Sequence, residues 1–220
     1  IDISDPTNPD GVGELTSDPD LPYGLARPTD VHVVGNYAYV SYYNGLAVID
    51  ISNPSSPDAI AYVDANDPDT PGMWGNTSVY VSGNYAYVTG GNSNTLVIID
   101  ISDPANPDGI TQINIGSNDT YDVYVSGNYA YVITPGNDTF TVVDVSNPAS
   151  PTIVAQITKD SDTDISSMDS PFSVYVSGNY AYVTAFSGDA VVMINIADPT
   201  NPDGIAQITK DSDGAIANMD

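Results

Sequence analysis

The seven-residue phrase SGNYAYV occurs three times in this chain, at 82–88, 126–132 and 177–183, and a fourth copy, VGNYAYV, lies at 34–40. Each copy has a Gly-Asn pair after its first residue, which is typical of a two-residue β-hairpin turn because such turns need positive φ. In Tyr-Ala-Tyr-Val the tyrosines lie on one face of a strand, and Ala and Val lie on the other. The phrase therefore predicts a repeated hairpin whose two faces pack against neighbouring units.

A second phrase repeats in step with the first. IDISDPTNPD at 1–10 recurs with small changes at 49–58, 99–108, 143–152 and 194–203. The copies are 44–51 residues apart, and a period of this length indicates an array of supersecondary units. Each unit contains two alternating strands, a continuous apolar strand such as TLVIIDI at 95–101, a proline-containing loop and a last short strand. Four strands per repeat, with no helical pattern, predict a β-propeller blade.

The sequence thus predicts an all-β protein, a β-propeller built of four-stranded antiparallel blades. The predicted units are four complete blades at 30–63, 78–115, 122–158 and 173–209, the third and fourth strands of an incomplete blade at 1–15, and an interblade linker at 210–220. All belong to one propeller domain, which we expect to be part of a longer chain. Strand-sharing between subunits and an imperfect five-blade closure are the alternatives for the half-blade, because an unpaired sheet edge invites another strand.

The segments GLAVIDISNP at 45–54 and NTLVIIDISDP at 94–104 resemble the LVIVD repeat, found in secreted or surface-displayed bacterial and archaeal β-propeller proteins. The resemblance covers essentially the whole chain. It implies the propeller fold and a role in surface display or interaction. It implies no catalytic residue, because the family has none in common that could be transferred to this sequence.

The charge is extreme, with 29 acidic residues against three basic ones and a formal net charge of −26. Phosphate binding needs clustered Lys and Arg, so we expect no nucleic-acid partner. No run approaches the length of a transmembrane helix, so we expect no membrane insertion. Such a charge must be screened by salt, by divalent cations or by a cationic partner. The sequence does not separate salt adaptation from calcium binding as its cause.

The loops that follow the second and fourth strands of each blade share one face of a propeller, and they vary in sequence from blade to blade. Binding sites usually lie in variable loops on a rigid scaffold, so we expect any ligand on this variable face. Trp74, Tyr42 and Tyr43 lie in or beside these loops and are candidates for stacking on a sugar. The alternative for Trp74 is a structural cap on its blade, because Met73 lies beside it and Met168 is in the equivalent position.

The interblade loops are acidic, and one of them carries Asp160, Asp162 and Asp164. This alternation matches the start of a calcium loop, where alternate oxygens point at one ion. The sequence then departs from an EF-hand, since Ile165 replaces the turn glycine and no helices flank the loop. Calcium at these three aspartates is one prediction, and a solvated acidic loop is the other.

Three sequons place candidate glycosylation sites at Asn76, Asn118 and Asn137, all on or beside the variable-face loops. Catalytic chemistry has few candidates. The chain has one histidine and no cysteine, which leaves little room for a Ser-His-Asp enzyme, a Cys-His enzyme or a His-rich zinc site. His32 occupies a position that is tyrosine in the other blades, so we interpret it as a packing substitute.

These observations favour a non-enzymatic extracellular structural or adhesive protein, a subunit of a cell-surface layer, appendage or filament. We expect a homo-oligomer or polymer joined through the open half-blade edge. The alternative is a closed propeller that binds a carbohydrate or protein on its variable face. An enzyme is the third possibility, and it would need an aspartate with a raised pKa in the central funnel.

Overall fold

The computed structural model describes residues 1, 4, 7, 10–15, 25–116 and 119–210, and these contain sixteen β-strands in four antiparallel sheets. Each sheet is one blade, and its strands are hydrogen-bonded in chain order. Blade 1 contains β1 (Pro28–Val34), β2 (Tyr37–Tyr42), β3 (Gly45–Asp50) and β4 (Asp58–Asp64). Blade 2 contains β5 (Asn76–Ser82), β6 (Tyr85–Gly90), β7 (Thr95–Asp100) and β8 (Asp108–Asn114).

Blade 3 contains β9 (Asp122–Ser126), β10 (Tyr129–Thr134), β11 (Thr139–Asp144) and β12 (Thr152–Thr158). Blade 4 contains β13 (Pro171–Ser177), β14 (Tyr180–Ala185), β15 (Ala190–Asn195) and β16 (Asp203–Thr209). The first strands of successive blades lie side by side, and they form the inner surface of the array. The all-β propeller class and the four blades are therefore as predicted. Within the described part of the chain, helix is limited to two single turns of 3-10 type, and none is long or apolar enough to cross a membrane.

The Gly-Asn turns have positive φ at glycine alone. Gly35, Gly83, Gly127 and Gly178 lie near +59°, whereas the asparagines that follow them do not have positive φ. Glycine at the first central position is what a type II′ hairpin requires. The asparagine has a different role, because its carbonyl accepts a hydrogen bond from the residue after the third strand, as Asn84 does from Ile101 at 2.8 Å.

Each blade has two apolar faces of different composition. One face carries the valines of the first strand and the Ala and Val of Tyr-Ala-Tyr-Val, and we call it the valine face. We call the opposite face the tyrosine face. The tyrosine face of each blade packs on the valine face of the next one. Between blades 1 and 2, for example, Tyr39, Leu46 and Val48 bury Val79 and Val81. The core therefore consists of repeated blade-to-blade junctions, which explains why the phrase varies so little.

The repeated proline-containing loops, on the face opposite the variable loops, are built from aspartate turns. The carboxylates of Asp50, Asp100 and Asp144 accept the backbone N–H of the residue two positions later, at 2.7–2.8 Å. Hydrogen bonds from the side-chain hydroxyls of Ser52, Ser102 and Ser146, followed by those from their backbone N–H groups, lower the pKa of each aspartate below its usual value. An aspartate followed two residues later by a serine thus stabilises the turn locally, and this turn recurs in blades 1, 2 and 3.

The N-terminal segment 10–15 runs beside blade 1. A Cβ at Gly13 would overlap the Pro54 carbonyl oxygen, and Leu15 packs against Val40 and Ile49. Residues 59–62 of blade 1 and 105–107 of blade 2 line one cavity, so β4 borders the proline-containing loop of the next blade. Segment 10–15 therefore takes the place of a preceding blade's fourth strand, although Asp10 alone among its residues forms a bridge. The predicted third strand in 1–9 and most of the predicted linker at 210–220 lie largely outside the described residues.

Candidate functional site

A row of alternating aspartates and serines lies where the inner surface of the array meets the variable face. Asp30, Ser78, Asp122 and Ser173 occupy equivalent positions near the starts of β1, β5, β9 and β13. Ser78 Oγ lies 2.9 Å from Asp30 Oδ2 and 2.8 Å from Asp122 Oδ1. Ser173 Oγ donates to Asp122 Oδ2 at 2.8 Å. The row links the four first strands through side chains.

Backbone groups complete this row. The N–H of Val79 donates to Asp30 Oδ2 at 3.0 Å, and the N–H of Val174 donates to Asp122 Oδ2 at 2.9 Å. Each aspartate also accepts the N–H of the residue after it through Oδ1, Val31 at 2.8 Å and Val123 at 2.9 Å. Because hydrogen bonds to charged acceptors are among the stronger ones in proteins, the row fixes the relative height of adjacent blades.

A cavity of about 340 Å³ lies above this row. Its walls carry the two carboxylates, four hydroxyl side chains at 29, 77, 78 and 173, and the rings of Tyr121 and Phe172. The two rings are 4.8 Å apart at their centroids. The arrangement offers hydrogen-bond acceptors and apolar surface to a small polar molecule.

Two residues further along the same first strands, aromatic side chains form a ladder that runs from blade to blade. His32 contacts Tyr80 at 4.7 Å between ring centroids, Tyr80 contacts Tyr124 at 4.6 Å, and Tyr124 contacts Tyr175 at 5.1 Å. His32 therefore packs as the tyrosines do, in line with its interpretation as a packing substitute. Burial lowers its pKa, and Asp30 opposes that shift. Burial and a hydrogen bond with Tyr124 raise the pKa of Tyr80 well above its usual value.

The predicted aromatic ligand site divides into exposed and buried residues. Trp74 is 46% exposed, its ring lies edge-on to Tyr43 at 6.4 Å, and the Arg27 guanidinium lies 5.3 Å above the Tyr43 ring. These three side chains form one cluster on the variable face. Tyr42 is a correction, because it is only 1% exposed and packs against Ala47 and so offers no surface to a ligand.

The three aspartates of the predicted calcium loop do not converge. Asp162 Oδ1 accepts the N–H of Asp164 at 2.9 Å and caps the short turn Thr163–Ile165, while its Oδ2 accepts the N–H of Gly204 at 2.8 Å. In the described parts of the chain, no three Asp, Glu or His side chains are grouped to hold a metal ion. The alternating pattern here serves a turn that anchors the loop to β16, and calcium at Asp160, Asp162 and Asp164 stays a prediction without geometric support.

The three sequon asparagines differ in their surroundings. Asn76 is buried, and its Nδ2 donates to the carbonyls of Tyr42 and Gly45 at 3.0 Å, so the folded chain does not offer it for glycosylation. Asn137 is exposed in the 3-10 turn Pro135–Asn137. Asn118 lies outside the described residues. Of the two described sites, Asn137 alone is accessible, and glycosylation there stays a prediction.

One of the three basic residues clamps the variable face between blades 3 and 4. Lys159 Nζ lies 2.6 Å from Asp138 and 3.1 Å from Asp169, and these two carboxylates raise the pKa of the ammonium group, Asp138 most. Asp138 also accepts the N–H of Ser170 at 2.7 Å. The loop of one blade is thus tied to the segment that enters the next.

The two end faces of the array are partly exposed, although Leu15 and Leu25 cover Val40 and Ile49 on the valine face of blade 1. Val33 on the valine face of blade 1 is 53% exposed, whereas Val81 in the same position of blade 2 is 6% exposed. Tyr182 on the tyrosine face of blade 4 is 37% exposed, whereas the equivalent Tyr131 is 3% exposed. Both ends are apolar surfaces built like the internal ones.

Sequence reasoning missed the Asp–Ser row and the Lys159 clamp. The repeats PTDVHVV, NTSVYVS, TYDVYVS and PFSVYVS do contain the signal, because their third position reads Asp, Ser, Asp, Ser. Alternating polar types at one position on adjacent strands indicate pairing across blades. The signal for Lys159 is its rarity. One of only three basic residues in a chain with 29 acidic ones is expected to form an ion pair.

Comparison with known proteins supports the repeat assignment. The LVIVD repeat matches residues 27–65, 75–113, 117–158 and 171–207, one match for each blade. No curated protein matches the chain.

Solved structures share the fold at low sequence identity. A functionally unknown protein from Desulfotomaculum acetoxidans has a TM-score of 0.65 and 13% identity over 82% of this chain and 55% of its own. A periplasmic gluconolactonase from Pseudomonas aeruginosa has a TM-score of 0.67 and 12% identity over 82% and 53%. The computationally designed Ika4 protein has a TM-score of 0.61 and 10% identity over 86% and 99%. The chain spans just over half of the first two proteins. Because the repeat matches cover most of the sequence, the chain belongs to the LVIVD repeat family.

Proposed function

We propose that this chain is a non-enzymatic structural or adhesive protein, an extracellular β-propeller subunit of a cell-surface layer, appendage or filament. The observation that carries the proposal is the exposure of Val31 and Val33 at one end and of Tyr182 and Val191 at the other, at positions that are buried in every internal junction. Contiguous apolar surface of this kind marks sites of association. Near-verbatim repetition supports the same role, because it supplies many equal contact surfaces.

The charge is consistent with an assembly outside the cell. A net charge of −26 keeps separate molecules apart at low ionic strength and lets them approach when salt or cations screen them. Association of the chain should therefore strengthen as ionic strength rises, which is the opposite of what attraction between opposite charges gives.

Electron microscopy of natively purified protein, combined with sedimentation at low and high salt, tests the proposal. We expect regular filaments, sheets or larger rings whose repeat matches the size of a four-blade unit. A chain that stays monomeric at every salt and protein concentration would contradict a structural role.

A binding module on the variable face is the second candidate. The exposed cluster of Arg27, Tyr43 and Trp74 favours it, since adjacent aromatic rings and a guanidinium suit a carbohydrate or a peptide. A panel of neutral oligosaccharides is the direct probe. Trp74→Ala should abolish any binding at this cluster and leave association unchanged, whereas Phe172→Ala should act only on ligands of the central cavity.

We propose no enzymatic activity. The gluconolactonase among the similar structures is 12% identical, a likeness of fold alone. If the cavity above Asp30 and Asp122 were catalytic, the chain would hydrolyse a gluconolactone and Asp122→Asn would remove the activity. We expect no hydrolysis above that of buffer.

A further inference from the structure

We infer that the tyrosine face of blade 4 binds the valine face of blade 1 in a second copy of this chain. The inference rests on the proposed structural function and names the surface and the partner. Its basis is that the molecule already contains this interface three times, between blades 1 and 2, 2 and 3, and 3 and 4.

The two end faces carry the same residue types as those internal junctions. Internally, Tyr131 and Phe140 of blade 3 pack with Val174 and Val176 of blade 4. The end faces offer Tyr182 with Val191 on one side, and Val31 with Val33 on the other. A second copy of the chain therefore supplies the surface that each end lacks.

The Asp–Ser row independently favours a second copy. From blade 1 to blade 4 the row consists of Asp30, Ser78, Asp122 and Ser173. Its member in blade 1 is therefore an aspartate, and its member in blade 4 is a serine. At the junction of blades 2 and 3, Ser78 contacts Asp122 Oδ1, the oxygen that also accepts the next backbone N–H. Asp30 Oδ1 likewise accepts the next backbone N–H, from Val31. Blade 4 of one copy would bring Ser173 to this oxygen and continue the alternation without a break.

The N-terminal segment 10–15 is the competitor of this interface. It lies at the fourth-strand position beside blade 1, where β16 of the incoming copy would arrive. It fills that position incompletely, because Asp10 alone among its residues forms a bridge. Docking therefore displaces segment 10–15, moves Leu15 and Leu25 off the valine face of blade 1, and exchanges one bridged residue for a complete strand. The interface joins two different surfaces, so it either closes into a ring or continues as a filament.

The test uses one blocked face per variant and then a mixture. Val33→Asp blocks the valine face and Tyr182→Asp blocks the tyrosine face. Ile153→Asp, at an exposed position on the outer strand of blade 3, is the control with the same charge change. Circular dichroism and thermal melts verify that all three fold, and sedimentation velocity measures association.

We expect the wild-type chain and Ile153→Asp to associate alike. Each face variant should associate about thirtyfold more weakly or not at all, as for a hot-spot residue. An equimolar mixture of Val33→Asp and Tyr182→Asp should form a one-to-one dimer, because one intact junction remains between them. Deletion of residues 1–15 should tighten association, whereas it would abolish association if the half-blade edge were the joint.

The outcomes separate the inference from the proposed function. Association that persists in both face variants, or that is lost on deletion of residues 1–15, overturns the inference and leaves a structural role in place. A wild-type chain that is monomeric at all concentrations overturns both, and it indicates that polypeptide other than a second copy covers the two faces.

Discussion

The internal junctions and the end faces have the same composition and opposite exposure. Val81 and Val33 occupy equivalent positions in adjacent blades, yet one is in the core and the other is on the surface. The difference arises from the neighbour and not from the residue. At these two positions burial is therefore set by whether a second blade is in contact, whereas Val40 and Ile49 of blade 1 are covered by Leu15 and Leu25.

The largest expected difference between an internal junction and an end face is the loss of stability when a charge is placed on the valine face. Val125→Asp in the junction of blades 2 and 3 should lower the free energy of unfolding by about 3–5 kcal/mol, because it buries an unpaired carboxylate. The same change at Val33 should alter the stability of the isolated chain by no more than about 0.5 kcal/mol, since the site is exposed. Urea unfolding of the dilute proteins measures both.

Val125→Ala is the matched control for size, and it should cost less than Val125→Asp. Equal destabilisation by Val33→Asp and Val125→Asp would contradict the comparison, because it would mean that the valine face of blade 1 is covered within the chain.

The sequence predicts the blades well because each strand repeats four times. Predicted blade boundaries fall within two residues of the observed ones, as for 78–115 against Asn76–Asn114. The candidate site was harder to predict. The sequence predicts Asn76 and Tyr42 in or beside loops, whereas β5 begins at Asn76 and β2 continues to Tyr42. Tyr42 lies two residues after Val40, so both side chains are on the same buried face of β2.

The Asp–Ser row and the loop anchors were missed for a physical reason. Side chains that pair across blades are far apart in sequence, as Ser173 and Asp122 are, and a single repeat does not reveal them. The aspartate spacing at 160–164 has two interpretations in the sequence alone. A calcium loop and a capped turn place carboxylates at the same intervals, and the contacts of Asp162 are those of a capped turn.

The second prediction concerns the number of junctions that each aspartate of the row serves. Asp122→Ala removes acceptors for Ser78, Ser173 and a backbone N–H, and it should cost about 2–4 kcal/mol of unfolding free energy. Asp30→Ala serves one junction and should cost roughly half as much. Urea unfolding measures the ratio.

Asp122→Asn is the control that keeps one oxygen acceptor, and its stability should lie between those of Asp122→Ala and the wild type. A larger loss for Asp30→Ala than for Asp122→Ala would count against the row as a link between blades.

The third prediction concerns the Lys159 clamp at the junction of blades 3 and 4. Lys159→Met should lower the melting temperature slightly and speed proteolysis of the loop that contains Asp138, because the carboxylates of Asp138 and Asp169 lose their shared counter-ion. Since the side chains are partly exposed, molar salt should shrink the difference from wild type. Lys159→Arg is the control that keeps the charge, and a defect of the same size in that variant would show that charge is not what matters.

The smallest effect belongs to the aspartate turns, which lie in local loops and so should not distinguish end blades from internal ones. The carboxylates of Asp50, Asp100 and Asp144 have lowered pKa values in the folded chain. A lowered pKa contributes stability above the unfolded value of about 4, and that contribution is lost as the pH falls through the folded value. Blade 4 uses Asn195 instead, which accepts the N–H of Ala197 at 3.0 Å and does not titrate.

Replacing all three aspartates by asparagine copies the blade 4 turn into the other blades. The triple variant should lose less stability than the wild type between pH 5 and pH 3, and urea unfolding across that range measures the two slopes. Each single variant should contribute a similar share, whether it lies in blade 1 at the end of the array or in blade 2 inside it. If Asp50→Asn alone changed the slope, the stability of the turn would depend on the position of its blade in the array, and the turns would not be local.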